Sequence, residues 1–159
     1  MDKILLQNSD TALWYSLIHE AQAHSDIHLA DSLAHYLVLL MSRFSQDPEV
    51  AGSVLGLDFL EASQEAEGSA LRDVGDKCLL FAGLFPERAT KRQVSVSYFV
   101  RLGQTAYNTA AYHQENDLFS ALCYQFVPLM DVISATRGTS PDNHLLQALE
   151  TWEATGSQR

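Results

Sequence analysis

Apolar residues recur every third or fourth position along nearly the whole chain, and stop signals cut that rhythm into pieces of helix length. Leu13, Trp14, Leu17, Ile18 and Ala21 form one stripe, and Leu29, Leu33, Tyr36, Leu37, Leu40, Met41 and Phe44 form the next. Residues three and four apart stand above one another on an α-helix, so this spacing predicts helices that each turn one face to a core. Asp10 is a candidate N-cap for the first, which should end between Ala23 and Ser25. The second, over 29–45, is apolar on nearly every side at YLVLLM (36–41) and is expected to be the central helix of the bundle.

The punctuation continues downstream. Asp47-Pro48 reads as an N-cap followed by an N1 proline, opening a helix on Val50, Val54 and Leu57 that breaks near Gly56. Ser69 can cap a fourth helix on Leu71, Val74, Cys78, Ala82 and Phe85, stopped by Pro86, with Arg72 and Asp76 spaced for an i, i+4 ion pair. QVSVSYFV (93–100) is the best strand candidate, but its alternation runs into the helical pattern of Phe99, Leu102, Ala106, Ala110 and His113. A sixth helix starts at Asn116, is kinked by Pro128 and closes at Gly138; a seventh follows Ser140-Pro141 with Leu145, Leu149 and Trp152. Gly75, Gly83 and Gly103 inside helices each cost about 1 kcal/mol relative to alanine, which close helix approach would offset. Gly103 facing Gly75 or Gly83 is the expected contact.

The expected fold is therefore all-α: one compact bundle of six or seven helices around the 29–45 helix, a single domain over 1–154 with a frayed tail at 155–159. Charge narrows the partners. The net charge of −10 is concentrated in residues 1–80, which hold 13 acids and 4 bases. Such a chain is repelled by phosphate backbones and anionic lipid, which argues against nucleic acid and membrane as partners. Six acids and no base between Asp47 and Glu67 read as a solvated face. No apolar run approaches the roughly 18 residues of a membrane span, and Cys78 and Cys123 lie in apolar helical stretches as reduced thiols, so a cytoplasmic setting is expected.

Four of the six histidines crowd into HEAQAHSDIHLADSLAH, His19 to His35. The zinc-protease spacing H-E-x-x-H sets its histidines four apart, whereas His19 and His24 are five apart and, at 100° per residue, point about 140° away from each other. His24, His28, Asp31 and His35 would share a face on an unbroken helix and are the candidate metal ligands. The apolar stripe, however, slips by one residue across this stretch, which predicts a turn within Ala23 to His28, with Ser25 and Asp26 supplying the turn and the next N-cap. No glutamate is followed three residues later by histidine, as di-iron bundles require. No cofactor and no metal is therefore expected. A P-loop, a dinucleotide fingerprint, a G-x-S-x-G elbow and a C-x-x-C pair are likewise missing from the sequence.

Two features point to association instead. PERATKRQ gathers Arg88, Lys91 and Arg92 in what reads as an interhelix loop, suited to an acidic partner. Tyr98, Arg101, Thr105, Asn108 and Tyr112 then repeat at steps of three and four beside the apolar stripe of the fifth helix. Tyrosine and arginine are the side chains that dominate binding hot spots. The stretch VGDKCLLFAGLFPERATKRQVSVSYFVRLGQTAY (74–107) resembles a segment of small uncharacterised bacterial helical proteins, a resemblance that implies a bacterial, cytoplasmic, helical domain and no particular chemistry. The functional expectation is a non-enzymatic interaction or regulatory module, a homodimer or the binder of another protein, working through Arg88, Lys91, Arg92, Tyr98, Arg101 and Tyr112. The alternative is a bundle that binds a metal or small organic ligand at the 24–35 cluster.

Overall fold

The computed structural model describes residues 2–57, 69–91 and 94–139. Among them lie eight helices and no strand: α1 (Asp2–Ser25), α2 (Asp31–Gln46), α3 (Pro48–Gly56), α4 (Ser69–Leu84), α5 (Pro86–Lys91), α6 (Val96–Gln114), α7 (Asp117–Tyr124) and α8 (Phe126–Thr139). The all-α expectation holds. The proposed seventh helix after Ser140 and the acidic residues at 58–67 fall outside the described residues.

Helix starts follow side-chain chemistry. The Asp47 carboxylate accepts from the Glu49 amide at 3.0 Å with Pro48 behind it, Ser95 Oγ accepts from the Tyr98 amide at 3.2 Å, and Asn116 Oδ1 accepts from the Leu118 amide at 2.9 Å. Each satisfies a donor that the first helical turn cannot pair internally. Ser95 also decides against a strand reaching to 100: it is itself extended and its cap starts α6 at Val96.

Asp10 is not a cap. α1 begins eight residues earlier, since neither proline nor glycine interrupts the chain upstream, and Asp10 sits within the helix accepting from Ser42 Oγ of α2 at 2.6 Å. Nor do Ser25 and Asp26 cap α2. Ser25 Oγ donates back to the Ala21 carbonyl, Asp26 takes a left-handed conformation (φ 55°), and α2 starts after Ala30 without a side-chain cap. Gln22 spans the turn instead, its Oε1 accepting from the Leu29 amide at 2.9 Å.

The centre of the bundle is α4 rather than α2. Cys78 to Phe85 are buried without interruption, and α4 packs on α3, α5, α6 and α8, most extensively on α6. α2 buries one broad face and leaves Leu39 about half exposed. Rings from α2, α4, α6 and the α4–α5 connection run through the core: Phe44 lies 6.0 Å from Phe85, and Phe81 lies 4.7 Å from Phe99. The helix glycines do permit close approach, but not to one another. Gly75 receives the Tyr107 ring of α6, Gly103 receives Phe126 of α8 with Cys78 of α4 beside it, and Gly83 receives Ile133.

The kink expected at Pro128 is a full break. α7 and α8 meet at Gln125 with a bend of 71°. Pro128 stands in the first turn of α8, where a missing N–H costs nothing, but it has none to donate to the Tyr124 carbonyl and so cannot carry α7 onward. Among the described residues no single helix is long and apolar enough to cross a bilayer; α7 with Phe126–Arg137 matches a span in length and composition, but only as this bent pair.

Candidate functional site

The repeating stripe on α6 is a solvent-facing ribbon. Tyr98, Arg101, Thr105, Asn108 and Tyr112 are all exposed, Tyr112 at 83%, while Phe99, Gly103, Ala106, Tyr107 and Ala110 of the same helix are buried. One residue of offset separates the two rows, which is how a 3.6-residue helix keeps a wet face and a dry face. Tyr98 is steadied edge-on against Phe99 at 5.4 Å, and Tyr112 edge-on against His113 at 5.7 Å. The ribbon is polar enough to stand in water and aromatic enough to gain from being covered.

The basic segment before it is helical rather than a loop: Pro86 supplies N1 and the Arg88 amide bonds to the Phe85 carbonyl. Arg88 is half-buried with its guanidinium 6.0 Å from the Phe85 ring centroid, and Glu87 pairs with Arg137 of α8 at 3.2 Å. The Lys91 side chain and Arg92 lie outside the described part of the chain. α5 packs on α6, so the segment and the ribbon are neighbours.

The histidine-rich stretch is divided by its turn. The break from Asp26 to Ala30 removes the continuous face on which His24, His28, Asp31 and His35 would have aligned. Among the described residues no group of three or more histidine, cysteine, aspartate or glutamate side chains is arranged to hold a metal ion. The turn instead helps form a cleft of about 410 Å³ between α1 and α2, which takes in His19, His28, Asp26 and Asp31 and does not include His24 or His35.

A buried polar cluster was not anticipated beyond its Arg72–Asp76 pair. Asp76, 4% exposed at the core of α4, accepts from Tyr36 Oη of α2 and Tyr107 Oη of α6, both at 2.6 Å and both on Oδ1. Arg72 reaches over from one turn earlier: its Nε donates to Tyr36 Oη at 3.1 Å and lies 3.9 Å from Asp76 Oδ2. The guanidinium also stands 5.5 Å from the Tyr36 ring centroid. Burial pushes the Asp76 carboxyl up to about 6 against the pull of the two hydroxyls and of Arg72 and Arg43. Burial and the Asp76 charge push both tyrosines well above the ordinary phenol range. Three helices are tied through one oxygen atom. The available sequence signal was the i, i+4 spacing of Arg72 and Asp76 on α4; the two tyrosines come from other helices and leave no local trace beside it.

Comparison with protein-family models, with curated proteins and with solved structures finds no match.

Proposed function

We propose that this chain is a non-enzymatic interaction module that self-associates through the α6 ribbon. The observation that carries the reading is the unbroken exposure of Tyr98, Arg101, Thr105, Asn108 and Tyr112 along a helix whose other face is buried. A second copy is the occupant, because the ribbon complements itself. In an antiparallel pairing about a two-fold axis level with the Ala106–Tyr107 peptide, positions that sum to 213 face each other. Arg101 then lies over Tyr112 of the second copy, and Thr105 meets its Asn108. The first contact is a cation–π pair, worth about 0.5–1 kcal/mol at an exposed site, and it occurs twice; the second joins a hydroxyl to an amide. Like charges are kept apart in this register, and the same patch serves both subunits, as a two-fold interface demands.

The reading includes a cytoplasmic setting, supported by two cysteines that form no disulfide and by the resemblance of 74–107 to bacterial helical proteins. Arg88 is drawn in against Phe85 and is left to an auxiliary role.

Sedimentation equilibrium of the full chain tests association: a dimer is expected, and Tyr98→Ala with Arg101→Ala should return it to monomer with its helical circular dichroism unchanged. Register is tested by oxidising mixed cysteine variants in a Cys123→Ser background, which leaves only the buried Cys78 besides the added thiol. Thr105→Cys mixed with Asn108→Cys should cross-link, and neither should do so alone. A monomer at all concentrations, or a folded double variant that still dimerises, overturns the proposal.

A further inference from the structure

We propose that the α1–α2 cleft is a binding site for a small organic cation, an amine carrying an apolar body. The cleft is independent of the α6 ribbon. Its volume of about 410 Å³ falls in the range of small-molecule pockets. Its apolar wall is made of Ile18, Leu29 and Val38, at 1%, 5% and 1% exposure, so it is anchored in the core. Its exposed lining includes Tyr15, 60% exposed, with Asp26 and Asp31 and the imidazoles of His19 and His28. An apolar body against that wall and a positive head among two carboxylates and an aromatic face is the ligand such a lining suits.

Three facts set the sign of the charge. No lysine or arginine lines the cleft. The Asp26 amide bonds to the Ala23 carbonyl, but among the described residues neither the Asp26 nor the Asp31 carboxylate has a hydrogen-bond or ion-pair partner, so their charge is unspent. The cleft also belongs to the half of the sequence that holds 13 acids and 4 bases. The start of α2 lacks a side-chain cap and would on its own attract an anion, but Asp31 in its first turn already supplies that negative charge. The connection that lines the cleft is defined at two points: Asp26 takes a left-handed conformation and Gln22 ties the Leu29 amide back to α1.

The test uses three ligands with one body, phenethylammonium, 2-phenylethanol and 3-phenylpropionate, titrated into the isotopically labelled full chain at pH 8 and low salt while amide shifts are followed. Phenethylammonium should saturate with shifts centred on residues 15–38, about ten-fold more tightly than the alcohol, and the carboxylate should not bind. Asp31→Asn, at an exposed site, should weaken the ammonium about three-fold and leave the alcohol unchanged. Ala23→Trp, placing a ring at the mouth from an exposed helix position, should abolish both. Equal binding of ammonium and alcohol, saturation by the carboxylate, or no saturable shift in this region up to tens of millimolar overturns the proposal. A folded Ala23→Trp variant that binds as before overturns it as well.

Discussion

A carboxylate in a core must be either neutral or heavily solvated by the protein, and Asp76 is balanced between the two. Two tyrosine hydroxyls and Arg72 favour its charged form, burial favours the neutral one, and burial prevails by enough to place the group at about 6. Because that value lies above the unfolded one of 3.8, the folded chain holds a proton that the unfolded chain has released between the two. The stability from this group is therefore fully present below about pH 4 and is lost as pH rises through about 6, a change of roughly 3 kcal/mol. Asp76→Asn, which keeps the shape and an acceptor for both hydroxyls, should remove that downward slope. Urea unfolding at half-unit steps from pH 4 to 7 measures it, and parallel curves for the two proteins would mean that Asp76 titrates normally. Tyr107→Phe should cost about 1–2 kcal/mol at pH 7 and move the slope to higher pH, since the charged carboxylate loses one of its two donors on Oδ1.

Packing between elements depends on positions where a side chain is missing. Gly103 and Gly52 both lie inside helices, yet a methyl group added at Gly103 would stand 2.6 Å from Phe126 Cζ and 3.0 Å from Cys78 Cβ, whereas at Gly52 nothing lies within 4 Å. Phe126 is fully buried and has nowhere to retreat. Gly103→Ala should then destabilise by about 1–3 kcal/mol despite its better helix propensity, and Gly52→Ala should stabilise by about 0.5–1 kcal/mol. Thermal melts of the two variants separate the effects, and a stabilised Gly103→Ala would show that α6 does not approach α8 this closely. Local rules made much of this level legible in advance. Asp47 and Asn116 each announced a helix start because a cap is decided within three residues. The turn after Ser25 was visible as a slip in the apolar stripe, and with it the end of the shared histidine face. Asp10, the partners of the glycines and the Asp76 cluster were not legible, because each is set by a residue more than twenty positions away: Ser42, Tyr107 or Phe126, and Tyr36 with Tyr107.

At the scale of the whole molecule, the same helix carries both the core and the proposed interface. α6 buries Phe99 and Tyr107 against α4 and presents Tyr98, Arg101 and Tyr112 to solvent one residue away, so folding fixes the ribbon without any contribution from a partner. Tyr107 is held through its hydroxyl by Asp76, which in turn holds Tyr36 of α2, and this links the orientation of α6 to the centre of the bundle. In the proposed dimer each chain would therefore be preorganised, with little ordering entropy left to lose on pairing. Mass action gives this a measurable form. If folded dimer and unfolded monomer are the main species, the melting temperature must rise with protein concentration, and it must do so without a change in the far-ultraviolet spectrum at low temperature. A hundred-fold increase in concentration should raise the melting temperature by a few degrees for the wild type and leave that of Tyr98→Ala with Arg101→Ala unmoved. A concentration-independent melt for both would place the ribbon's partner elsewhere, since a second copy that binds the native state cannot fail to stabilise it.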